Sequence, residues 1–306
     1  MRVVIAGGTG FIGKALCREL LIAGHEVMVL TRDPSRATAR VPQGAGVTRW
    51  SPEQPEGLPQ VLSDADAVVN LSGEGIAARR WTPEFKQRLV DSRVNSTRAL
   101  VQAIQQAEPR PRVLVNASAV GIYGDRGEEE LTEASPAGAG FLPDLAVRWE
   151  QAAEEARKVD VRVVKLRIGI VLGEEGGALQ KMLLPFRFFV GGPFGSGQQW
   201  FPWIHLDDVT GITLHTLQSE AVDGTVNVVA PGIVRSGEFC KALGKVIKRP
   251  CWLPVPGFVL RLVAGELGET LLWSQRVIPQ RATQMGYTFR YPQVEEALRA
   301  VLGAYA

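Results

Sequence analysis

Residues 2–13 read Arg2-Val3-Val4-Ile5-Ala6-Gly7-Gly8-Thr9-Gly10-Phe11-Ile12-Gly13. The apolar, β-branched run at the start predicts a buried strand over Arg2–Ala6. Apolar residues at Phe11, Ile12, Ala15, Leu16, Leu20 and Leu21 then follow helical spacing and predict a helix over Phe11–Ile22. Between strand and helix the turn is rich in glycine. Main-chain N–H groups at a helix start, backed by the helix dipole, form a docking point for an anion. Side chains at Gly7 and Gly10 would hold a pyrophosphate away from the main chain, and Gly13 lets helix and sheet pack closely. Tight turns collect glycine for steric reasons alone. The strand–turn–helix context is what selects dinucleotide binding, through Gly7, Thr9, Gly10, Phe11, Ile12 and Gly13.

The same alternation continues along the chain. Strand patterns occur at Glu26–Thr31, Ala65–Leu71, Arg112–Ala117, Val161–Ile168 and Thr225–Val229. Helix patterns occur at Pro83–Gln106, Leu145–Val159 and Ser236–Val246, the last with Ser236 as expected N-cap. Apolar strands separated by amphipathic helices need cover on both sheet faces, which predicts an α/β fold with a doubly wound parallel (Rossmann) sheet. Glycine and proline become dense after Gly173. The expected division is a nucleotide-binding domain of residues 1–170 with 203–230, and a smaller C-terminal α/β substrate or lid domain of residues 171–202 with 231–306.

The second strand ends at Leu30-Thr31-Arg32, with Ser35 and Arg36 shortly after. A carboxylate at this point would accept bonds from the adenosine ribose and repel a 2′-phosphate, whereas a guanidinium binds one through paired, charge-assisted hydrogen bonds. Thr31, Arg32 and Arg36 therefore favour NADP(H). The competing reading leaves Arg32 solvated and gives the ribose to Asp33.

Composition excludes several other classes. The 306 residues are 45% hydrophobic and 22% charged, enough for a sizeable core. A net charge of +2 gives no reason to expect nucleic acid or membrane as a partner. Three cysteines (Cys17, Cys240 and Cys251) make no disulfide framework, and with three histidines no metal site is expected. No targeting signal opens the chain, and the apolar stretch Val255–Ala264 is short and interrupted by Arg261. The expected setting is reducing and cytoplasmic.

Several motifs carry a resemblance. Gly7–Gly13, Asn70-Leu71-Ser72-Gly73, Ser118-Ala119-Val120-Gly121-Ile122-Tyr123-Gly124, Leu166-Arg167 and Trp203-Ile204-His205-Leu206-Asp207-Asp208 occur in the order found in extended short-chain dehydrogenases/reductases. The chain thus resembles the NAD(P)-dependent epimerase/dehydratase superfamily. Asp91-Ser92-Arg93, Arg148-Trp149-Glu150, Phe201-Pro202-Trp203 and Ser274-Gln275-Arg276-Val277-Ile278-Pro279 look more narrowly like its atypical SDR39U group. The resemblance implies that Leu71, Ser72 and Gly73 line the adenine–ribose side and that Ala117 and Ser118 lie near the nicotinamide. It also implies that Arg93 reaches either the pyrophosphate or a surface ion pair.

The usual catalytic pair of such enzymes, Tyr-x-x-x-Lys, is missing. Aligned on Glu150, its positions hold Leu142 and Ala146, and neither side chain can move a proton. Ser118 and Tyr123 remain as expected catalytic residues, with Tyr123 expected to face the substrate cleft. His205 with Asp207 and Asp208 reads as a brace rather than a proton relay. Trp200, Phe201, Trp203 and Phe194 read equally as a cleft wall or as packing. The functional expectation is an oxidoreductase or sugar-nucleotide epimerase-like enzyme with an unknown small-molecule substrate, and a homodimer is expected by analogy. The alternative is a non-catalytic NADP(H)-binding sensor or scaffold.

Overall fold

A computed structural model describes residues 1–303. Seven parallel strands form the main sheet: β1 (Arg2–Ala6), β2 (Glu26–Thr31), β3 (Gly46–Arg49), β4 (Ala67–Asn70), β5 (Val113–Ala119), β6 (Arg162–Ile168) and β7 (Gly224–Val228). Their spatial order is β7-β6-β5-β4-β1-β2-β3. The chain winds outward from β1 to β3, then returns to β4 and winds the other way. The carboxyl ends of β1 and β4 therefore flank the point where the winding reverses, where open α/β sheets bind ligands.

Alternation along β1 shows why the sheet needs two helical layers. Val3 and Ile5 belong to a core with Leu16 and Leu20 of the helix Phe11–Ile22 and with Val209 and Ile212 of the helix Leu206–Gln218. Val4 and Ala6 face the other way, packing with Leu58 and Leu62 of the helix Leu58–Ser63 and with Leu100 and Ile104 of the helix Ser96–Gln106. A third cluster lies outside the sheet. It joins Leu183 and Phe186 of the helix Leu179–Arg187, Phe239 and Leu243 of the helix Ser236–Val246, and Leu298 and Leu302 of the helix Val294–Leu302.

The first strand, first helix and second strand fall where the sequence puts them, residue for residue. Other boundaries differ. The short, half-exposed β3 and the helices Leu179–Arg187 and Leu206–Gln218 escape the periodicity. The helix expected from Leu145 begins at Phe141. Ser236 is the first helical residue rather than the N-cap; that position is Arg235, whose N–H donates to Glu238 at 2.7 Å. The long helix expected over Pro83–Gln106 is broken by a π-helical turn at Asp91–Asn95. Cys240 and Cys251, with Cα atoms 6.2 Å apart, form one disulfide. Cys17 is free and buried, and burial pushes its thiol up to about 12.

Candidate cofactor-binding site

The glycine turn at the end of β1 separates into two kinds of position. Gly7 has φ +84°, and a Cβ there would lie 2.6 Å from the Leu71 carbonyl oxygen at the end of β4. A Cβ on Gly13 would lie 2.3 Å from the Gly7 carbonyl, and one on Gly8 would strike Val29 at 2.8 Å. The protein's own packing thus demands glycine at these three. For Gly7 this corrects the expected reason, since the close neighbour is β4 and not a ligand. Gly10 differs: its φ of −79° suits any residue, and its nearest neighbour to a Cβ is the Gly7 carbonyl at 3.2 Å. Glycine at position 10 therefore keeps the outer approach to the turn open.

The helix that follows has no side-chain cap and no carboxylate in its first turn. Its leading N–H groups and dipole face outward uncompensated, which suits an anion. Phe11 contributes main chain here, because its ring lodges against Gly173, Gly176 and Gly177, each of which would collide with it if it carried a Cβ. The glycines of 173–177 thus accommodate an aromatic ring from the first helix.

At the end of β2, Asp33 caps the short helix Pro34–Thr38. Its Oδ1 accepts from Ser35 Oγ at 2.7 Å and from Arg36 N at 3.2 Å, and these bonds hold its carboxyl below the ordinary value. Thr31 Oγ1 accepts from Asp33 N at 3.3 Å. One oxygen of the carboxylate that could have served a ribose is thus held by its own loop, while Oδ2 makes no bond among the described residues. Arg32 and Arg36 are exposed, and neither guanidinium has a carboxylate partner within ion-pair distance among the described residues.

A buried polar ladder positions the opposite wall. Asn70, the last residue of β4, donates to Thr97 Oγ1 (2.8 Å) and to Asn116 Oδ1 on β5 (2.7 Å), and accepts from Ser72 N at 3.1 Å. Trp149 Nε1 donates to the same threonine at 3.0 Å. These bonds fix Leu71, Ser72 and Gly73 beside the glycine turn. The π-helical turn brings Ser92 and Arg93 to the same loop: Ser92 Oγ accepts from Glu74 N, and Arg93 donates to the carbonyls of Glu74 (2.9 Å) and Leu89 (3.3 Å). The Arg93 guanidinium lies over Trp149 and against Gly73, and burial pulls it down to about 10. Glu74 pairs with Arg88 instead. The surface ion pair considered for Arg93 is therefore not formed. Its charge is set into the loop wall by main-chain carbonyls.

The expected catalytic residues are placed differently. Tyr123 is fully buried. Its hydroxyl lies 2.6 Å from Asn227 Oδ1 and 3.0 Å from the Thr132 carbonyl, and it accepts from Arg167 Nη1 at 3.0 Å. Burial pushes the phenol above its ordinary value, the opposite of what a proton relay near neutrality requires. Tyr123 does not face a cleft, which corrects the expectation. Ser118 is also buried and donates to Glu150 Oε1 at 2.7 Å. Glu150 holds Arg167 in a paired bond of 2.9 and 3.0 Å. Burial opposes the charge on Arg167, but the bonds and charge of Glu150 outweigh it and hold the guanidinium above its ordinary value.

Ala117 is buried in β5 and packs in the core. Leu142 packs near Gly121, and Ala146 lies in an apolar cluster with Val120, Ile122 and Tyr123. A groove of about 650 Å³ lies beside the Glu150–Arg167 pair, lined also by Glu133, Glu154 and Lys165; no residue of the glycine turn enters it.

His205 caps the helix Leu206–Gln218 through Nδ1 and stacks on Tyr291 at 3.9 Å. Asp208, fully buried, accepts from Tyr287 Oη, Arg290 N and Tyr291 N. The pair clamps the C-terminal segment to the sheet helix. Phe201 and Trp203 are packed inside the third core, and Trp200 lies between Arg235 and Arg276. Among the described residues no cluster could hold a metal ion.

Comparison with known proteins identifies the family and the fold. Residues 3–229 match the model of the NAD dependent epimerase/dehydratase family, and residues 255–301 match a domain of unknown function, DUF1731. The chain is 43% identical to an Arabidopsis thaliana protein, the chloroplastic homolog of epimerase family protein SDR39U1, over 99% of this chain and 87% of that one. It is 40% identical to human SDR39U1 over 99% and 100% of the two chains, and 37% identical to Bacillus subtilis YfhF over 99% and 98%. The crystal structure of human SDR39U1 (isoform 2) with NADPH superposes with a TM-score of 0.89 at 38% identity, covering 99% of each chain. A Thermotoga maritima UDP-glucose 4-epimerase, at 17% identity and a TM-score of 0.82, shares the fold. No described helix is long and apolar enough to cross a membrane. The chloroplastic Arabidopsis relative gives no support to a cytoplasmic setting. The chain belongs to the NAD-dependent epimerase/dehydratase family, as a homologue of the SDR39U1 epimerase family proteins.

Proposed function

We propose that the chain binds NADP(H), with the pyrophosphate over the glycine turn and the adenosine 2′-phosphate between Arg32 and Arg36. The observation that carries this is at the end of β2, where Arg32 and Arg36 are exposed without a carboxylate partner among the described residues and Asp33 turns one of its oxygens to its own helix cap. The uncapped helix start and the open side of Gly10 fit the pyrophosphate, and the NADPH in the crystal structure of human SDR39U1 points the same way. Leu71, Ser72 and Gly73 would form the adenosine-side wall, and Arg93 lends positive charge behind them.

When bound, the reduced nicotinamide supplies a hydride. The chain's own part is to orient that ring and to shield it from water under the smaller C-terminal part, whose Glu266 pairs with Lys86 of the nucleotide-binding part. An oxidoreductase or epimerase-like reaction on a small carbonyl or alcohol fits this frame, with its proton taken from water rather than from Tyr123 or Ser118. A second reading, a non-catalytic NADP(H)-dependent sensor or scaffold, is favoured by one observation: Leu142 and Ala146 close the positions from which a Tyr/Lys pair would act. A homodimer is also part of the proposal. The helices Ser96–Gln106 and Phe141–Glu154 leave between them a polar groove of about 470 Å³, lined by Arg98, Gln102, Arg148 and Glu155, and a second copy would pack its own pair of helices across this face.

Following 340 nm absorbance of the NADPH-loaded protein against a panel of carbonyl compounds separates the two readings. Turnover of any class supports the enzyme. Silence with cofactor affinity intact supports the sensor. A protein that takes up neither NADPH nor NADP⁺ overturns both.

A further inference from the structure

Most of the large apolar side chains that remain exposed lie in the smaller C-terminal part. Phe188 (70% exposed) and Phe189 follow the helix Leu179–Arg187, and Trp252 (63% exposed) and Leu253 lie directly against them. Trp252 Nε1 donates to the Phe189 carbonyl at 2.9 Å, and Trp252 N and Leu253 N both donate to Gly191 O. Four residues further on, the helix Gly257–Ala264 turns Phe258 (70%) and Leu262 (72%) to solvent at i,i+4 spacing, with Val263 beside them, and buries only Leu260. An isolated exposed leucine needs no account, but a run of aromatic and aliphatic side chains this open marks an interaction surface.

Charge says what kind. Residues 179–190 carry Lys181 and Arg187 and no carboxylate; residues 241–265 carry Lys241, Lys245, Lys248, Arg249 and Arg261, again with no carboxylate. The chain as a whole is at only +2, so the balanced composition conceals a cationic stretch around Phe188 and Trp252, while Glu266 and Glu269 follow the helix Gly257–Ala264. Lys245 and Arg261 are paired, to Glu295 and Glu269. Arg187, Lys248 and Arg249 are exposed without a carboxylate partner among the described residues, and Arg249 lies 4.4 Å from the centre of the Phe189 ring.

We propose that this face docks on an anionic lipid bilayer. Trp252, Phe188 and Phe189 would enter the headgroup region while Arg187, Lys248 and Arg249 sit among the lipid phosphates. Exposed aromatic anchors beside uncompensated cations match the interfacial mode of binding. A second copy of this chain matches less well, since it would bring the same unpaired cations against themselves.

The test is sedimentation of the full chain with vesicles of phosphatidylcholine mixed with phosphatidylglycerol, and with phosphatidylcholine alone. The expected result is partition onto the anionic vesicles only, weakening as salt rises. Replacing Lys248→Ala together with Arg249→Ala should weaken it about 25-fold, at about fivefold per cation. Trp252→Ala should weaken it about tenfold. NADPH affinity should be unchanged in each variant, which shows that they remain folded. Equal partition onto both vesicles, no partition onto either, or a concentration-dependent dimer in free solution that Trp252→Ala abolishes would each overturn the proposal.

Discussion

Replacing Gly10 with alanine should separate cofactor affinity from stability. At φ −79° and ψ 178° the backbone accepts alanine without strain. The added methyl meets only the Gly7 carbonyl, at 3.2 Å. A few tenths of an ångström of adjustment costs about as much as the 0.4–1 kcal/mol returned by stiffening the unfolded chain, so the apo protein should melt within about 3 °C of wild type. The methyl also projects into the open approach to the helix start. Forcing a pyrophosphate outward there weakens its charge-assisted bonds to main-chain N–H groups, each worth about 1.5–3 kcal/mol. Losing the equivalent of one raises the NADPH dissociation constant about 10- to 100-fold, and losing two raises it further.

Gly7→Ala is the contrasting control. There the left-handed φ costs about 1–2 kcal/mol, and the 2.6 Å approach to Leu71 O adds about 1–3 kcal/mol of overpacking. The apo melting temperature should fall by about 5–10 °C. Scanning fluorimetry without ligand and calorimetric titration with NADPH measure the two quantities. If Gly10→Ala binds NADPH like wild type, the cofactor does not pass over the turn and the placement is wrong.

Other outcomes follow from the same geometry. Arg32→Ala combined with Arg36→Ala should weaken NADPH about 10- to 100-fold and leave NADH unaffected; equal losses for both cofactors would place the 2′-phosphate elsewhere. Tyr123→Phe strands Asn227 and Arg167 and should cost about 1–3 kcal/mol of stability in denaturant titrations while leaving any hydride turnover intact. Loss of turnover in a protein that still folds would restore Tyr123 to the chemistry. Arg167→Leu leaves the buried Glu150 with only the Ser118 hydroxyl and Lys165 at 3.9 Å, a loss of up to about 3–5 kcal/mol, and adding Glu150→Leu should recover much of it; a double variant no better than the single would contradict this. Acid should act through the Arg157 cluster. Burial opposes ionisation of Glu154, but Lys165 and Arg157 outweigh it, and the Arg157 hydrogen bond holds Asp223 low. Both folded values are depressed, so their stabilisation is complete above the unfolded carboxylate values and fades as pH falls below about 4. Asp223→Asn should flatten the acid limb of melting temperature against pH.

Local physics accounts for what could be read from the chain. Strand β1, the glycine turn and the first helix lie within residues 2–22, where period-two and period-3.6 patterns and the steric demands of a tight turn act between near neighbours. The edge strand β3 was invisible because it is short and half exposed, and so lacks a full apolar face. The π-helical turn at Asp91–Asn95 leaves the helical pattern of the flanking residues intact and shows only in which side chains reach Glu74. The Asn70–Asn116–Thr97 ladder has a signal in the sequence, since asparagines set into two apolar strands must find partners once buried.

The sequence alone determined the glycine-rich turn and the basic end of β2, each a property of a short contiguous segment, and also the parallel sheet and the missing Tyr-x-x-x-Lys pair, which show in the pattern of residues along the chain. Tertiary structure alone decided the fate of Ser118 and Tyr123, whose partners Glu150 and Asn227 lie 32 and 104 residues away. Only the fold, too, brought the segment of Arg187, Phe188 and Phe189 against that of Lys248, Arg249 and Trp252. A hydroxyl can act only where its bonds are unspent, and a charge attracts only where it is uncompensated. Both conditions depend on neighbours that distant parts of the chain supply.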